Sequence, residues 1–401
     1  MHRDSGRVAK ITGQATCPKP HVLTLTPFYP SDGDEVSGCF VAEALRELEL
    51  QGAVSSVIAV DSIYHAGRKS SQQFPADWIR YPQLPGNFGL ASAGRFLAGV
   101  LLKRVREIHR HSPVSVIHAH AALPCGAAAA ILSRRLDIPF VVTVHGLDAF
   151  NRCFQDGMAA RWRRTSSRRA YLNAAKVICV SEKVQSVLKD GMAEAGATAE
   201  SEVVYNGTDT ELFAPKLNDS EQQSILIVGT LLAGKGHEVL LRAIGRLKQS
   251  HPDFQCKIIG AGADRDRFAR LAQDLGISGR VHFLGRRSRT EVAEAMRDCT
   301  VFVLPSRYEG LGCVYLEAMA CGKPAIGCHG QGIEEIIRHG ENGWLIPVDG
   351  LEDLVEGLKV LLGNADLRVR IGNAARLTIL NNLTLSHQAG RLMRIYEEAA
   401  R

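Results

Sequence analysis

Leu304-Pro305-Ser306-Arg307-Tyr308-Glu309-Gly310-Leu311-Gly312, followed by Cys313-Val314-Tyr315-Leu316-Glu317-Ala318-Met319-Ala320-Cys321-Gly322, decides how this 401-residue chain folds. The apolar run Val301 to Leu304 reads as a strand, a glycine-rich loop follows, and a helix begins near Gly312. In such a unit the helix start offers free N–H groups and a positive dipole end, a ready site for phosphate. A carboxylate nearby accepts hydrogen bonds from the vicinal diol of a ribose or hexose. Glu309 in the loop and Glu317 in the early helix are placed for that work. On spacing alone they read equally well as two solvated glutamates.

Upstream and downstream the same alternation continues. Short apolar runs at Val22 to Leu25, Val54 to Val60, Val116 to His118, Phe140 to Val144 and Val177 to Val180 predict strands, and Phe40 to Leu50 has helical spacing. After a polar stretch at 206–224 the pattern restarts, with strands at Ile225 to Val228, Lys257 to Ile259, Val281 to Leu284, Val301 to Leu304 and Ala325 to Gly327. A helix is expected from about Glu238 and a last one over Leu385 to Ala400. This predicts an α/β chain with two Rossmann-like parallel-sheet domains in series. Ligands of such sheets sit at the carboxyl ends of the strands, so the natural site is a central cleft between the two.

Composition narrows the class. Hydrophobic residues make up 45% and charged residues 22%, as in a soluble globular protein, and the 6% aromatic content predicts an aliphatic core. The net charge of +6 suits nucleotide phosphates or an anionic membrane surface and does not call for nucleic acid. Ten cysteines show neither a C-x-x-C nor zinc spacing, which predicts buried thiols in a reducing compartment. No apolar run approaches the ~20 residues of a membrane span, and the first 19 residues lack a signal-peptide core. The expectation is a cytoplasmic protein, attached if at all to the inner face of the cell membrane.

The Glu309–Glu317 segment resembles the E-x7-E motif of retaining glycosyltransferase family 4, the group 1 glycosyltransferases of GT-B fold. The resemblance covers most of the chain. It implies that Glu309 faces the donor sugar, that Glu317 holds the nucleotide ribose, and that Gly310, Leu311 and Gly312 bring backbone amides to the donor. Val228 to Gly236 resembles the family's strand and Lys-Gly turn, which gives Lys235 to the donor diphosphate. Many members carry Arg where this chain has Thr230. One phosphate cation is thereby missing, to be made up by Lys235 or by another basic residue. Thr143-Val144-His145-Gly146-Leu147-Asp148 resembles the family's H-G-x-D, which places His145 at the reaction centre. Taken alone, Lys235 reads as a solvated lysine and His145 as a structural histidine. Gly38 closes a loop corresponding, weakly, to the glycine loop near donor and acceptor. Ile117-His118-Ala119-His120 matches a strand end on the acceptor side. Asn206-Gly207-Thr208-Asp209 with Phe213, and Gly330-Gln331-Gly332, match segments read as structural.

The resemblance implies domains at 20–212 for the acceptor and 213–382 for the nucleotide-sugar donor, with a disordered 1–19 and a helix at 383–401 crossing back to the first domain. It implies a hexosyltransferase-type enzyme with no cofactor and no metal. A nucleotide-diphosphate-sugar is the donor substrate, and a carbohydrate or lipid-linked molecule the acceptor. Two alternatives are another GT-B enzyme, an epimerase or a phosphorylase, and a non-catalytic nucleotide-sugar-binding protein. Ile259-Gly260-Ala261-Gly262 could open a dinucleotide motif, but Arg265 stands where its third glycine belongs. Finally, Arg95 to Arg110 mixes apolar and basic residues, and Arg161 to Arg169 adds basic ones. These read either as ordinary helices with solvated ends or as an anionic-membrane face.

Overall fold

The computed structural model describes residues 19–65, 67–146, 157–216, 223–251 and 253–401. The expected disorder at 1–18, the motif residue Asp148 and linker positions 217–222 lie outside these residues. The first half contains strands β1 (His21–Thr26), β2 (Val54–Ser62), β3 (Asp77–Tyr81), β4 (Val116–His120), β5 (Phe140–Val144), β6 (Lys176–Cys179) and β7 (Ser201–Val203). Its helices are α1 (Cys39–Leu50), α2 (Gly89–His111), α3 (Ala127–Leu136), α4 (Met158–Asn173) and α5 (Glu182–Ala193). The second half contains β8 (Ser224–Val228), β9 (Gln255–Ile259), β10 (Val281–Gly285), β11 (Val301–Val303), β12 (Ala325–Cys328) and β13 (Trp344–Ile346). Its helices are α6 (His237–Leu247), α7 (Arg265–Asp274), α8 (Arg289–Asp298), α9 (Cys313–Ala320), α10 (Leu351–Gly363), α11 (Ala365–Asn382) and α12 (Leu385–Ala399).

The strand orders are β3-β2-β1-β4-β5-β6-β7 and β10-β9-β8-β11-β12-β13, and the pairings around β1 and β8 are parallel. In both sheets the winding direction reverses beside the first strand. A crevice therefore opens at the carboxyl ends of β1 and β4 in one domain, and of β8 and β11 in the other. This is the expected pair of Rossmann-like sheets. Strands β1, β4 and β5 are buried along their whole length, which is why they read as mainly apolar runs without a charged residue.

Three strands were not foreseen: β3, β7 and β13. Each is a sheet edge. Asp-Trp-Ile-Arg-Tyr in β3 and Ser-Glu-Val in β7 mix polar residues into short runs because an edge has a partner on one side only.

Helix α1 buries Val41, Ala42, Leu45 and Leu48 on one face. Against this face α12 lays Ala389, Leu392, Ile395 and Tyr396. The chain's last helix thus completes the core beneath β1 and β4. Helix α2 contains the Arg95 to Arg110 stretch; its Leu97, Leu101 and Val105 are core residues, and Arg104 pairs with Asp77 at the surface. No helix among the described residues is long and apolar enough to cross a membrane.

Candidate active site

The first-domain wall of the cleft is built on histidines. β5 ends at Val144 and delivers His145 to the crevice. Nε2 of His145 lies 3.0 Å from Nδ1 of His120, and the rings stack with centroids 5.2 Å apart. Phe28 and Phe40 meet the His145 ring edge-on at 5.7 and 5.1 Å. His118 and His120 are two apart on β4, so they share a face. His118 is held by Thr143 Oγ1 at 2.6 Å and by the Tyr396 hydroxyl at 2.7 Å. Burial depresses all three imidazoles: His145 to about 4, His118 to about 3, and His120 well below its ordinary value. All are neutral at pH 7. Nε2 of His120 is buried with no partner among the described residues. A bare lone pair costs less than a bare N–H. That assigns the proton to Nδ1 and makes His120 the donor to His145.

The second-domain wall is charged. The turn after β8 ends at Gly236, where φ is +75° and an added Cβ would lie 2.1 Å from the Pro305 carbonyl oxygen. Only glycine lets this turn seat against the loop after β11. That seating brings Lys235 Nζ to Glu309 Oε1 at 2.5 Å. Ser306 Oγ donates to the same oxygen at 3.1 Å, and the Glu309 N–H donates to Gln331 Oε1 at 3.0 Å. Gly310 then touches the other domain. Its Cβ would lie 2.4 Å from the His145 carbonyl oxygen, and Ser181 Oγ donates to its own carbonyl at 2.5 Å.

His145, Lys235, Glu309 and Gly310 line one interdomain cavity of about 720 Å³, together with Arg163, Arg164, Arg307 and Tyr308. A second cavity of about 600 Å³ lies between the Gly33–Ser37 loop and the ends of β8 and β9, lined by Thr230, Arg286 and Arg287 among others. Arg286 pairs with Asp34 at 3.1 Å and Arg287 with Glu291 at 2.9 Å. The other sequence-derived residues stand behind the cavities. Gly38 precedes α1 with φ +78°, packed on the Phe28 backbone; Leu311 is buried; Gly312 precedes α9 with φ +82°.

Glu317 is buried, with Oε1 taken by Arg289 Nη1 at 2.5 Å and Oε2 without a partner among the described residues. The Arg289 guanidinium also grips Glu43 of α1 at 2.7 and 2.9 Å and lies 4.8 Å over the Phe213 ring. Two carboxylates from opposite domains therefore share one guanidinium. Burial lifts Glu43 to about 7, against the pull of Arg289 and with help from the Glu317 charge. A second crossing is made by Glu335, whose carboxylate accepts the Glu182 and Lys183 N–H groups at the start of α5.

The sequence reading assigns no role to Arg289, Glu43 or Glu335. They are ordinary helix and turn residues whose partners across the domains lie more than a hundred positions away. The arginines of the basic Arg161 to Arg169 stretch have different surroundings. Arg163 and Arg164 line the cavity, and Arg168 donates to the Gly191 carbonyl. The glycines after β9 serve close packing: a Cβ at Gly260 would lie 1.9 Å from the Gly229 carbonyl oxygen, and one at Gly262 2.2 Å from that of Leu231.

Two facing Rossmann-like sheets with a cleft lined from both sides define a GT-B architecture, and solved structures share it. Sucrose-phosphate synthase from Thermosynechococcus elongatus superposes with a TM-score of 0.78 at 19% identity, covering 94% of this chain and 98% of its own. Anabaena HepE, in complex with UDP-glucose, gives 0.72 at 19% identity, covering 93% and 99%. Residues 208–378 match the model described as glycosyl transferases group 1, and residues 40–212 match glycosyltransferase family 4. An uncharacterized glycosyltransferase of Methanocaldococcus jannaschii is 33% identical over 267 residues, 67% of this chain and 71% of the relative. D-inositol 3-phosphate glycosyltransferase of Corynebacterium diphtheriae is 30% identical over 314 residues, 72% of each. The chain belongs to the group 1 glycosyltransferases.

Proposed function

We propose that this protein is a retaining, metal-independent glycosyltransferase. It moves a hexose from a nucleotide-diphosphate-sugar to a glycan or lipid-linked hydroxyl, in bacterial polysaccharide or glycolipid assembly. The observation that carries this is the meeting of neutral His145 with the Lys235–Glu309 pair in one cavity. A structural neighbour crystallised with UDP-glucose supports the donor class.

In this reading Lys235 leaves part of its hold on Glu309 to bind the donor diphosphate, and Glu309 turns to the sugar hydroxyls. The bond between anomeric carbon and phosphate oxygen breaks. The acceptor oxygen attacks from the same face, and its proton passes to the departing phosphate oxygen. Negative charge builds on that oxygen, which Lys235, Arg307 and the amides near Gly312 stabilise. His145 positions the sugar without placing a positive charge beside a carbon that is itself becoming positive. In this reading side-chain cations take the leaving-group role.

The test is a panel of UDP-, GDP- and dTDP-sugars with mass-spectrometric detection, with and without EDTA, and NMR of the product's anomeric centre. Retained configuration and EDTA resistance are expected. Donor binding without turnover would favour the non-catalytic reading. Epimerised donor, or turnover only with phosphate, would favour the other GT-B enzymes.

We further propose contact with an anionic membrane. Phe88 and Trp162 rings meet at 6.3 Å, and Phe96, Val100 and Met158 are also exposed on α2 and α4, with Arg95, Lys103 and Arg161 exposed nearby in sequence. Co-sedimentation with anionic vesicles, reversed by salt, is expected. A protein that stays in the supernatant at low salt sinks this part.

A further inference from the structure

Arg289 divides its guanidinium unequally between two carboxylates. Nε and Nη2 both go to Glu43 of the first domain, at 2.9, 2.7 and 2.9 Å. Nη1 alone reaches Glu317, at Oε1. The other Glu317 oxygen, Oε2, is buried and accepts nothing among the described residues. Glu317 is 4% exposed, so that oxygen is withdrawn from bulk solvent.

The surroundings show what this oxygen stands near. Val314, one turn earlier on the same face of α9, lines the cavity of about 600 Å³ between the Gly33–Ser37 loop and the ends of β8 and β9. Ser288 and Val292, on either side of Arg289 in the chain, line it as well. Glu317 thus sits one helical turn from the cavity wall. An ionised carboxylate oxygen only accepts, so its complement is a donor such as a ribose hydroxyl.

A guanidinium meets a carboxylate best edge to edge, with two N–H groups on two oxygens. Glu43 takes such an edge, and one nitrogen is left for Glu317. Without Glu43 the guanidinium is free to turn a full edge to Glu317 and to occupy Oε2 itself. The cation that balances the buried charge would then block the oxygen that a ribose needs.

We infer that Glu43 is a positioning residue, which keeps Glu317 Oε2 open for the nucleotide's ribose by engaging one edge of Arg289. This rests on the nucleotide-sugar donor proposed above and on the ribose role that the family motif gives Glu317. Glu43 touches no substrate in this role. It belongs to the first domain and Glu317 to the second, so the grip on the ribose depends on contact between the domains.

The experiment reads the ribose contact by itself. UDP, GDP and ADP are titrated into the full chain by calorimetry at pH 8, above the value of about 7 to which burial lifts Glu43. The tightest binder is then compared with its 2′,3′-dideoxy analogue. Wild type should favour the ribonucleotide by about tenfold or more, the worth of a hydrogen bond to a charged group. Glu317→Gln should bring that ratio toward one. Glu43→Ala and the near-isosteric Glu43→Gln should do the same through weaker ribonucleotide binding, with the dideoxy affinity little changed. Glu43→Asp, which keeps the carboxylate, should restore part of the ratio. A purely structural role for Glu43 would weaken both nucleotides alike and leave the ratio intact, which overturns the inference. So does nucleotide binding without ribose preference in wild type; in both cases the donor reading stands. Binding of none of the three nucleotides overturns the donor reading, and this inference with it.

Discussion

The two walls of the cleft solve opposite electrostatic problems. The first domain meets the reaction centre with a stack of imidazoles that burial keeps uncharged, His118, His120 and His145, braced by Thr143 and Tyr396. The second meets it with Lys235 and Glu309 paired at 2.5 Å. A neutral wall can hold a sugar while its anomeric carbon gains positive charge. A charged wall can hold a leaving diphosphate. The ion pair keeps Lys235 and Glu309 balanced against each other until an anion arrives. Charge crosses between the walls where Arg289 bridges Glu43 and Glu317.

Removing that crossing should have the largest effect. Arg289→Met leaves two buried carboxylates unpaired, and urea unfolding should show a loss of about 3–5 kcal/mol. Adding Glu43→Gln should recover part of it; no recovery would mean that the two domains are not coupled there. Next comes the charged wall. Lys235→Ala should lower turnover by ~10²–10³, or about 3–4 kcal/mol of barrier, while the exposed Lys359→Ala changes nothing. Near-normal turnover would show that the phosphates are held elsewhere.

The neutral wall should give a smaller effect. His145→Asn loses one hydrogen-bonding geometry, roughly tenfold in kcat. With His145 titrating at about 4, the wild-type rate should show no inflection from it between pH 5 and 9. An inflection near 6.5 that disappears in the Asn variant would break the contrast between the walls. The same depressed values make stability pH-dependent. Between about pH 6.5 and 4 the unfolded chain binds more protons than the folded one, so stability rises with pH and is lost on acidification. Hydrogen exchange in β4 and β5 should therefore quicken on acidification sooner than in β8 and β9, whose half holds a single buried histidine with a depressed value, His237. The smallest effect belongs to Glu335→Gln, which weakens a charged cap on α5 and should cost ~0.5–1 kcal/mol of stability.

The same contrast governs what could be seen beforehand. Central strands such as β1 and β5 are buried on both faces, so their residues announce them; the edge strands β3 and β7 carry polar residues, and β13 is only three residues long, so they do not. His145, Lys235 and Glu309 sit at strand ends or glycine turns, positions that local sequence marks. Arg289 reaches its place only through the packing of α1, α8 and Phe213, which no local pattern encodes. Arg163 and Arg164 were visible as basic residues, but the direction a helix faces depends on its neighbours.

The support of His118 by Tyr396 spans 278 positions of chain. On a ribosome, β4 emerges long before α12 exists. At ~5–20 residues per second the wait is on the order of 15–60 seconds. Through that interval the apolar groove of α1, formed by Val41, Leu45 and Leu48, lacks the helix that covers it, and the histidine stack lacks its Tyr396 brace. The nascent first domain is then a natural client for a chaperone. A stalled or prematurely terminated chain would carry an exposed sticky groove and an unsupported reaction centre, even with both sheets already made.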